Sequence, residues 1–143
     1  MKTDLQTAIE LLTEETYTCV LCKGDSVYTS TERGVKPLLM WFDNGSRFKD
    51  FSAADKVVGK ATAFLYVLLC VKEVYAPVMS EGAVSVLMEN GISVQYDTLA
   101  KNIINRMGTG ICPMEDAVKD VSEPKAAVAA IKTRLAELKA GQK

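Results

Sequence analysis

The chain of 143 residues contains no histidine. A histidine general base and the Ser-His-Asp and Cys-His nucleophile arrangements are therefore excluded, because each of them uses an imidazole. A catalytic zinc centre normally takes three His, Cys or carboxylate ligands and leaves a fourth position open, and the sequence offers no recognisable group of that kind. We therefore predict no metal site, and the sequence gives no sign of a cofactor.

The chain is also poor in long apolar runs and has no excess of one charge. Its longest apolar run, residues 61–71, is about half of what a bilayer requires. The 17 basic residues nearly balance the 18 acidic ones, so we expect binding to neither membrane nor nucleic acid. Residues 1–143 should form a single domain, and it should be cytoplasmic because no signal-peptide pattern follows Met1. A homodimer is expected from base rates alone.

Three of the four cysteines are expected to be reduced and structural. Cys19 and Cys22 lie in a strand-like segment, residues 17–23. On a strand, positions three apart point to opposite faces, so the two sulfurs cannot easily hold one ion. Cys70 falls in the most apolar predicted helix, which favours packing in the core.

Hydrophobic periodicity predicts an alternation of helices and strands. The predicted helices cover residues 4–14, 35–43, 52–71, 81–90 and 126–138, with a further one beginning at Pro113; the predicted strands cover residues 17–23, 26–31, 73–79 and 92–96. Residues 98–104 fit helix and strand equally well. This order predicts an α/β fold, a three-layer αβα sandwich with a mixed sheet, whose strand–helix–strand unit over 73–96 is parallel and right-handed.

Ligands in such folds bind beyond the carboxyl ends of the parallel strands, where helices begin. Three predicted helix starts therefore become candidates for one crevice: residues 52–60, residues 80–82 and the loop that leads to Pro113. We expect all three to face the same space.

The first of these starts carries Lys56 and Lys60, four residues apart on the predicted helix, with Gly59 between them. Like charges at this spacing repel each other, and a helix start disfavours cations. A bound anion would relieve both effects, and Gly59 would allow a close approach. The alternative is a solvated lysine pair, with Gly59 serving helix packing.

Three acidic or hydroxyl residues belong to the first two starts. Asp55 stands in the S-x-x-D pattern of a capping box, and it is also a candidate general base or lysine partner. Ser80 and Glu81 fit ordinary helix caps, and they are also candidates to face an anion.

The third start follows the glycine-rich segment 105–115. Arg106 could fork onto a carboxylate or phosphate, and Asn105 and Thr109 add neutral hydrogen-bonding groups. Cys112 just ahead of a helix could have a lowered pKa and act as a nucleophile, although capping or packing is the stronger interpretation without a histidine. Glu115, three residues later, is either a capping-box acid or a group that moves protons.

Three motifs together carry a resemblance to a known family. They are Gly34-Val35-Lys36-Pro37-Leu38, the segment Ala54 to Ala61, and Asn105-Arg106 continuing through Gly108-Thr109-Gly110 to Cys112-Pro113-Met114-Glu115. Over residues 5–135 the chain resembles the bacterial family of domain of unknown function 1893. The resemblance implies a cytidine-deaminase-like fold.

Deaminases of that fold hold zinc with H-x-E or C-x-E at one helix start and P-C-x-x-C at the next. In this chain the two places are filled by residues 55–57 and 79–82, which bring no zinc ligand set. We therefore expect a zinc-free crevice that binds a small anionic or nucleotide-like metabolite. It would belong either to a zinc-independent enzyme, with Asp55, Lys56 and Glu115 as catalytic residues, or to a non-catalytic regulatory or oligomerisation module.

Overall fold

The computed structural model describes residues 3–32, 34–103 and 110–141. Six helices and six strands occur in this part of the chain. In chain order they are α1 (Asp4–Glu14), β1 (Cys19–Lys23), β2 (Ser26–Ser30), α2 (Lys36–Asp43), β3 (Ser52–Asp55), β4 (Val57–Val58), α3 (Lys60–Leu69), β5 (Glu73–Ser80), α4 (Glu81–Glu89), β6 (Ser93–Ala100), α5 (Pro113–Val118) and α6 (Pro124–Gly141).

The strands form one mixed, open sheet. β1 pairs antiparallel with β2 through the predicted tight hairpin at Gly24, and antiparallel with β3 on its other side. β5 lies parallel to β3 along its first half and parallel to β4 along its second half. On its far side β5 pairs with β6, also in parallel. The predicted α/β fold with a mixed sheet and a parallel strand–helix–strand unit is therefore confirmed.

The predicted helix over residues 52–71 is wrong in its first third. Residues 52–55 form a strand whose four residues are all buried, and the helix begins only at Lys60, after Gly59 as its N-cap. The S-x-x-D pattern is therefore not a capping box. This short segment pairs with β1 on one side and with β5 on the other, which gives its backbone N–H and C=O groups hydrogen-bond partners. This pairing outweighs the local sequence pattern that predicted a helix start.

Helices cover both faces of the sheet. On one face α1 packs its Ala8 and Leu12 against Val20, Ala54 and neighbouring strand residues. On the other face α3 runs through the main core and is buried along most of its length, as its apolar sequence predicts. In the described part of the chain no helix is both long and apolar enough to cross a membrane.

The two cysteines of strand β1 point to opposite faces, as predicted. Cys19 belongs to the main core, whereas Cys22 lies in the cluster under α1. The prediction for Cys70 is wrong: its side chain is exposed, because Cys70 ends α3 in a left-handed conformation with φ 68° and leaves the apolar face of the helix. No disulfide links the four cysteines, which are all free.

The other predicted elements agree with the structure, with small shifts of their ends. Thr3 caps α1 with a capping box completed by Gln6, and Pro37 lies in the first turn of α2. β6 extends beyond its predicted end at Tyr96 to Ala100, which resolves part of the ambiguous segment as strand. Residue 104, the last of that segment, lies outside the described residues.

Candidate functional site

A buried chain of three polar side chains lies at the carboxyl end of β3. The hydroxyl of Tyr66 donates a hydrogen bond to Oδ2 of Asp55 over 2.7 Å, and the Sγ of Cys19 lies 3.2 Å from the same hydroxyl oxygen. Each of the three comes from a different element: α3, β3 and β1. Cys19 faces Asp55 because their strands are antiparallel and in register at these two residues.

Burial dominates the protonation behaviour of this group. Desolvation raises the pKa of Asp55 from 3.8 to about 7, although hydrogen bonds from Tyr66 and from the backbone of Val57 and Lys56 counteract it. Burial and the nearby Asp55 raise the pKa values of the Cys19 thiol and the Tyr66 phenol well above their ordinary range. Asp55 is thus the one member that changes its protonation near neutral pH.

Asp55 and Cys19 line a pocket of about 830 Å³. The pocket lies beyond the carboxyl ends of β3 and β4, as the rule for ligands in open α/β sheets predicts. The larger part of its wall surface is apolar, and eight apolar residues contribute to it: Val35, Pro37, Val57, Ile103, Pro113, Met114, Leu135 and Leu138. Nine residues with polar side chains form the smaller part: Thr18, Glu32, Lys36, Lys56, Thr62, Cys112, Glu115, Asp55 and Cys19. A mainly apolar cavity with a few polar groups is the usual form of a small-molecule site.

Glu115 occupies the anion position at the start of α3. Its Oε1 accepts a hydrogen bond from the backbone N–H of Lys60 over 2.8 Å, and its Oε2 accepts one from Ala61 over 3.0 Å. The hydroxyl of Ser80, at the start of α4, lies 3.5 Å from Oε1. The starts of α3 and α4 thus both lie next to Glu115, which is in the first turn of α5. Its predicted role as the capping acid of its own helix is wrong, because it caps α3 instead.

The lysines next to this helix start do not form the predicted pair. Lys56 lies in the link between β3 and β4 and Lys60 in the first turn of α3, so they do not share a helical face. The Nζ of Lys56 donates to the carbonyl of Leu12 over 3.2 Å. The Nζ of Lys60 donates to the carbonyl of Lys119 over 3.1 Å and lies over the ring of Phe64. Repulsion between two lysines is thus not a reason for an anion here.

Ser80 and Glu81 lie at the start of α4, on the other side of Glu115 from the large pocket. Ser80 is the N-cap of α4, since its Oγ accepts from the backbone N–H of Ala83 over 3.1 Å. Both residues line a smaller pocket of about 310 Å³ together with Lys60, Lys101, Lys119 and Glu115. The candidate residues therefore divide between two pockets that share Glu115.

Part of the predicted loop site cannot be placed. Asn105, Arg106 and Thr109 lie outside the described residues. Cys112 is described: it precedes α5 at the N-cap position, its side chain makes no capping hydrogen bond there, and it lines the large pocket. Its backbone N–H donates to the carbonyl of Ile103, so that these two pocket-lining residues lie side by side.

The residues at the two helix starts do not fit a deaminase-type zinc ion. Glu115 is held by the backbone N–H groups of Lys60 and Ala61, and Asp55 accepts hydrogen bonds inside the protein. Among residues 3–32, 34–103 and 110–141, no three His, Cys, Asp or Glu side chains are grouped closely enough to hold a metal. No chemical step through a metal follows from this site.

The sequence did not reveal several parts of this site. Cys19 was expected to be a structural thiol and Tyr66 was not singled out. The contact of Cys19 with Asp55 depends on pairing between β1 and β3. Lys36 and Glu32 lie at the rim of the pocket because α2 begins there. Of these residues, only Lys36 had a local signal in the sequence, because it precedes a proline at a predicted helix start.

The architecture places the protein in the class of open α/β proteins with a mixed six-stranded sheet and a pocket at the carboxyl ends of its central strands. A model of the family described as domain of unknown function (DUF1893) matches residues 7–135, and the chain belongs to this family. The fold is similar to the crystal structure of TM1506, a DUF1893 family protein from Thermotoga maritima. The two share 23% sequence identity with a TM-score of 0.84, over 94% of this chain and 92% of the other. No curated protein sequence matches the chain.

Proposed function

We propose that the pocket next to Asp55 binds a small nucleotide-like metabolite without zinc. The single observation that carries this proposal is a mostly apolar cavity of about 830 Å³ with a buried carboxyl group on its wall. A flat heterocycle suits the apolar walls, and its ring N–H groups suit a carboxyl that accepts hydrogen bonds. The fold itself supports no particular function.

Asp55 would recognise the heterocycle in a protonation-dependent way. With a pKa of about 7, its carboxyl is close to half protonated at neutral pH. A protonated carboxyl both donates and accepts, whereas a carboxylate only accepts. Asp55 can therefore complement a ring edge that offers one donor and one acceptor, provided that the ligand reaches the small exposed part of this residue.

The anionic part of the ligand would lie at the rim of the pocket near Lys36. The start of α3, favoured by the sequence, already binds the carboxylate of Glu115. Lys36 begins α2, is exposed, lines the pocket, and its ammonium forms no ion pair with any described residue. No side chain caps the first turn of α2 within the described structure. Pro37 has no N–H, so the backbone N–H groups of Lys36 and Leu38 would face the anion.

We also propose that the domain is a cytidine-deaminase-like fold whose metal place has been replaced. In the resemblance, the zinc ligands would stand at residues 55–57, shortly before the start of α3, and at residues 79–82, at the start of α4. In this chain the carboxylate of Glu115 lies between these two starts, bound to Lys60 N and Ala61 N and close to Ser80. The carboxylate of Glu115 between these helix starts is the feature that supports a zinc-free protein.

A thermal-shift assay tests the proposed ligand class. The probes are cytidine, adenosine, their 5′-monophosphates, ribose 5-phosphate and inorganic phosphate. A compound at about 100 times its Kd should raise the Tm of the wild type by roughly 5–10 °C. Asp55→Asn and Lys36→Ala should reduce this rise, whereas Lys125→Ala, on an exposed residue outside the pocket, should leave it unchanged.

A second variant blocks the pocket by steric hindrance, so that the test does not depend on whether Asp55→Asn folds. Val57 is 43% exposed and lines the pocket, so Val57→Trp should fill part of the cavity without disturbing the core. The proposal is contradicted if no probe raises the Tm. It is also contradicted if the effective probe acts equally on wild type and on all three pocket variants.

A catalytic role of the same pocket is the second candidate, favoured by the pKa of Asp55 near 7. A carboxyl with this pKa can act as an acid and as a base at neutral pH. Lys56 would be its partner in that reaction and Glu115 would hold the start of α3 in place. Turnover of a bound probe that is lost in Asp55→Asn, while binding persists, distinguishes an enzyme from a binding module.

A further inference from the structure

Strand β2 forms one outer edge of the sheet, and its sequence lacks the usual protection of such an edge. It pairs with β1 over all five of its residues, and no described strand pairs with its other side. Edge strands are commonly protected by a lysine, a proline or a bulge. β2 reads Ser26-Val27-Tyr28-Thr29-Ser30, and its register with β1 runs without interruption. This edge is therefore open to pairing with a further strand.

Two apolar side chains of β2 are exposed, one on each face of the sheet. Val27 is 44% exposed and Tyr28 is 45% exposed. The ring of Tyr28 packs against the rings of Phe48 and Phe51, on the face that carries the main core. Val27 points to the other face, because neighbouring side chains alternate along a strand. A strand laid along this edge would cover apolar surface on both faces.

The free hydrogen-bonding groups of this edge belong to Val27 and Thr29. The turn between β1 and β2 has two residues, and its glycine has a φ of 58°, as in a type II′ hairpin. In this turn the residue that follows, Ser26, bonds to β1, and every second residue after it does the same. The carbonyl of Ser30 accordingly accepts a hydrogen bond from Thr18, on the β1 side. The backbone groups of Val27 and Thr29 thus point outward, where no described residue bonds to them.

The residue order of β2 reads nearly the same in both directions. Tyr28 is at the centre, with a β-branched residue and then a serine on each side. If a second copy is laid antiparallel with the two-fold axis at Tyr28, Val27 of each copy lies opposite Thr29 of the other. The free backbone groups of these residues then meet and can exchange both hydrogen bonds of a pair. Ser26 lies opposite Ser30, so every residue in this register is described and none is charged.

We propose that the chain forms a two-fold symmetric dimer in which β2 pairs antiparallel with β2 of a second copy, centred on Tyr28. An isologous contact requires a surface that is complementary to itself. The residue order of β2 and the position of its free backbone groups both meet this condition. The two Tyr28 side chains face each other in a pair without backbone hydrogen bonds, the arrangement in which opposite side chains lie closest. The pairing joins the two sheets into one continuous sheet.

Two double variants that share one substitution test the surface and the register. In Val27→Lys/Thr29→Lys, lysines lie opposite each other on both sides of the axis, which should raise the dimer dissociation constant by roughly tenfold or more. In Val27→Lys/Thr29→Glu, each lysine lies opposite a glutamate, so the dimer should persist. Sedimentation velocity up to about 1 mM protein measures association, since a short edge strand provides a small interface and a weak dimer. Circular dichroism checks that each variant is folded.

Gln95→Lys/Thr98→Lys is the matched control, because it places two lysines on exposed residues of β6, at the opposite edge of the sheet, and should leave the dimer unchanged. The proposal is overturned if the wild type sediments as a monomer at every concentration. It is also overturned if Val27→Lys/Thr29→Lys leaves the dimer intact, because another surface then holds the two copies together. Equal weakening by the two β2 variants refutes the register centred on Tyr28.

Discussion

The carboxylate of Glu115 lies directly against the α-carbon of Gly59, so closely that a side chain at position 59 would have to displace it. A Cβ built at Gly59 would collide with the carboxyl carbon and both oxygens of Glu115. The φ angle of Gly59 is −101°, which any residue can adopt. Glycine is therefore favoured here by the neighbouring carboxylate and not by backbone conformation.

Gly59→Ala is expected to lower the free energy of unfolding by about 1–3 kcal/mol, because the added methyl group must displace the carboxylate from the start of α3. Chemical denaturation measures this change. Gly82→Ala is the matched control: a Cβ there would meet only Lys60 side-chain atoms at ordinary contact distance, and Gly82 lies in the first turn of a helix, so alanine should be neutral or stabilising. Equal destabilisation by both substitutions would contradict the steric explanation.

Glu115→Ala is expected to cost about 1–3 kcal/mol, because it leaves the backbone N–H groups of Lys60 and Ala61 without their acceptor. Combined with Gly59→Ala, the loss should be clearly smaller than the sum of the two single losses, since the collision disappears together with the carboxylate. Strict additivity in this double-mutant cycle would show that the two residues do not interact.

Tyr66→Phe is expected to raise the pKa of Asp55 above about 7. The Tyr66 hydroxyl donates a hydrogen bond to the carboxylate and thereby lowers its pKa against the larger effect of burial. Carbon-13 NMR of the Asp55 carboxyl over a pH range measures the change. A pKa that stays the same or falls in the phenylalanine variant would mean that the hydroxyl does not donate to Asp55.

Asp55 should make the protein less stable as the pH rises. Its pKa in the folded state, about 7, lies above the ordinary value of 3.8, so the folded state binds its proton more tightly than the unfolded state does. The resulting stabilisation is fully present below about pH 4 and is lost as the pH rises through about 7, with a total on the order of 4 kcal/mol.

Urea denaturation of wild type and Asp55→Asn between about pH 4 and pH 8 isolates this contribution. The free energy of unfolding of the wild type, taken relative to that of Asp55→Asn, should fall as the pH rises. A difference that is constant across this range would mean that the carboxyl titrates alike in the folded and unfolded states.

The cysteines should differ in their reactivity toward iodoacetamide at neutral pH. Cys70 is exposed and should react first, whereas burial protects Cys19 and raises the pKa of its thiol. Mass spectrometry of peptides after brief alkylation gives the order of modification. Early labelling of Cys19 in folded protein would contradict its position in the core.

The sequence predicted those features of the fold that local patterns determine. The apolar period of α3, the serine cap of α4 and the glycine turn between β1 and β2 are examples, and each is found in the structure. β3 was missed because its four residues carry no strand pattern of their own and become a strand only by pairing with two neighbours. No single segment contains that information.

The sequence predicted some of the residues of the candidate site, but it did not predict which of them contact one another. Asp55 and Glu115 were singled out as carboxylates near helix starts, and both line the large pocket. That Glu115 caps α3 rather than its own helix is a contact between residues 55 positions apart. The chain of Asp55, Tyr66 and Cys19 depends on three elements meeting in space, which periodicity does not reveal.

The carboxyl group of Asp55 provides the most direct test of the proposed ligand pocket. Carbon-13 NMR can follow its titration in the free protein and with the probe that raises the Tm most. The proposed function predicts a pKa near 7 in the free protein and a clear shift in its resonance and titration when the probe binds. A bound probe that leaves both the resonance and the titration of Asp55 unchanged would contradict the assignment of this pocket as the ligand site.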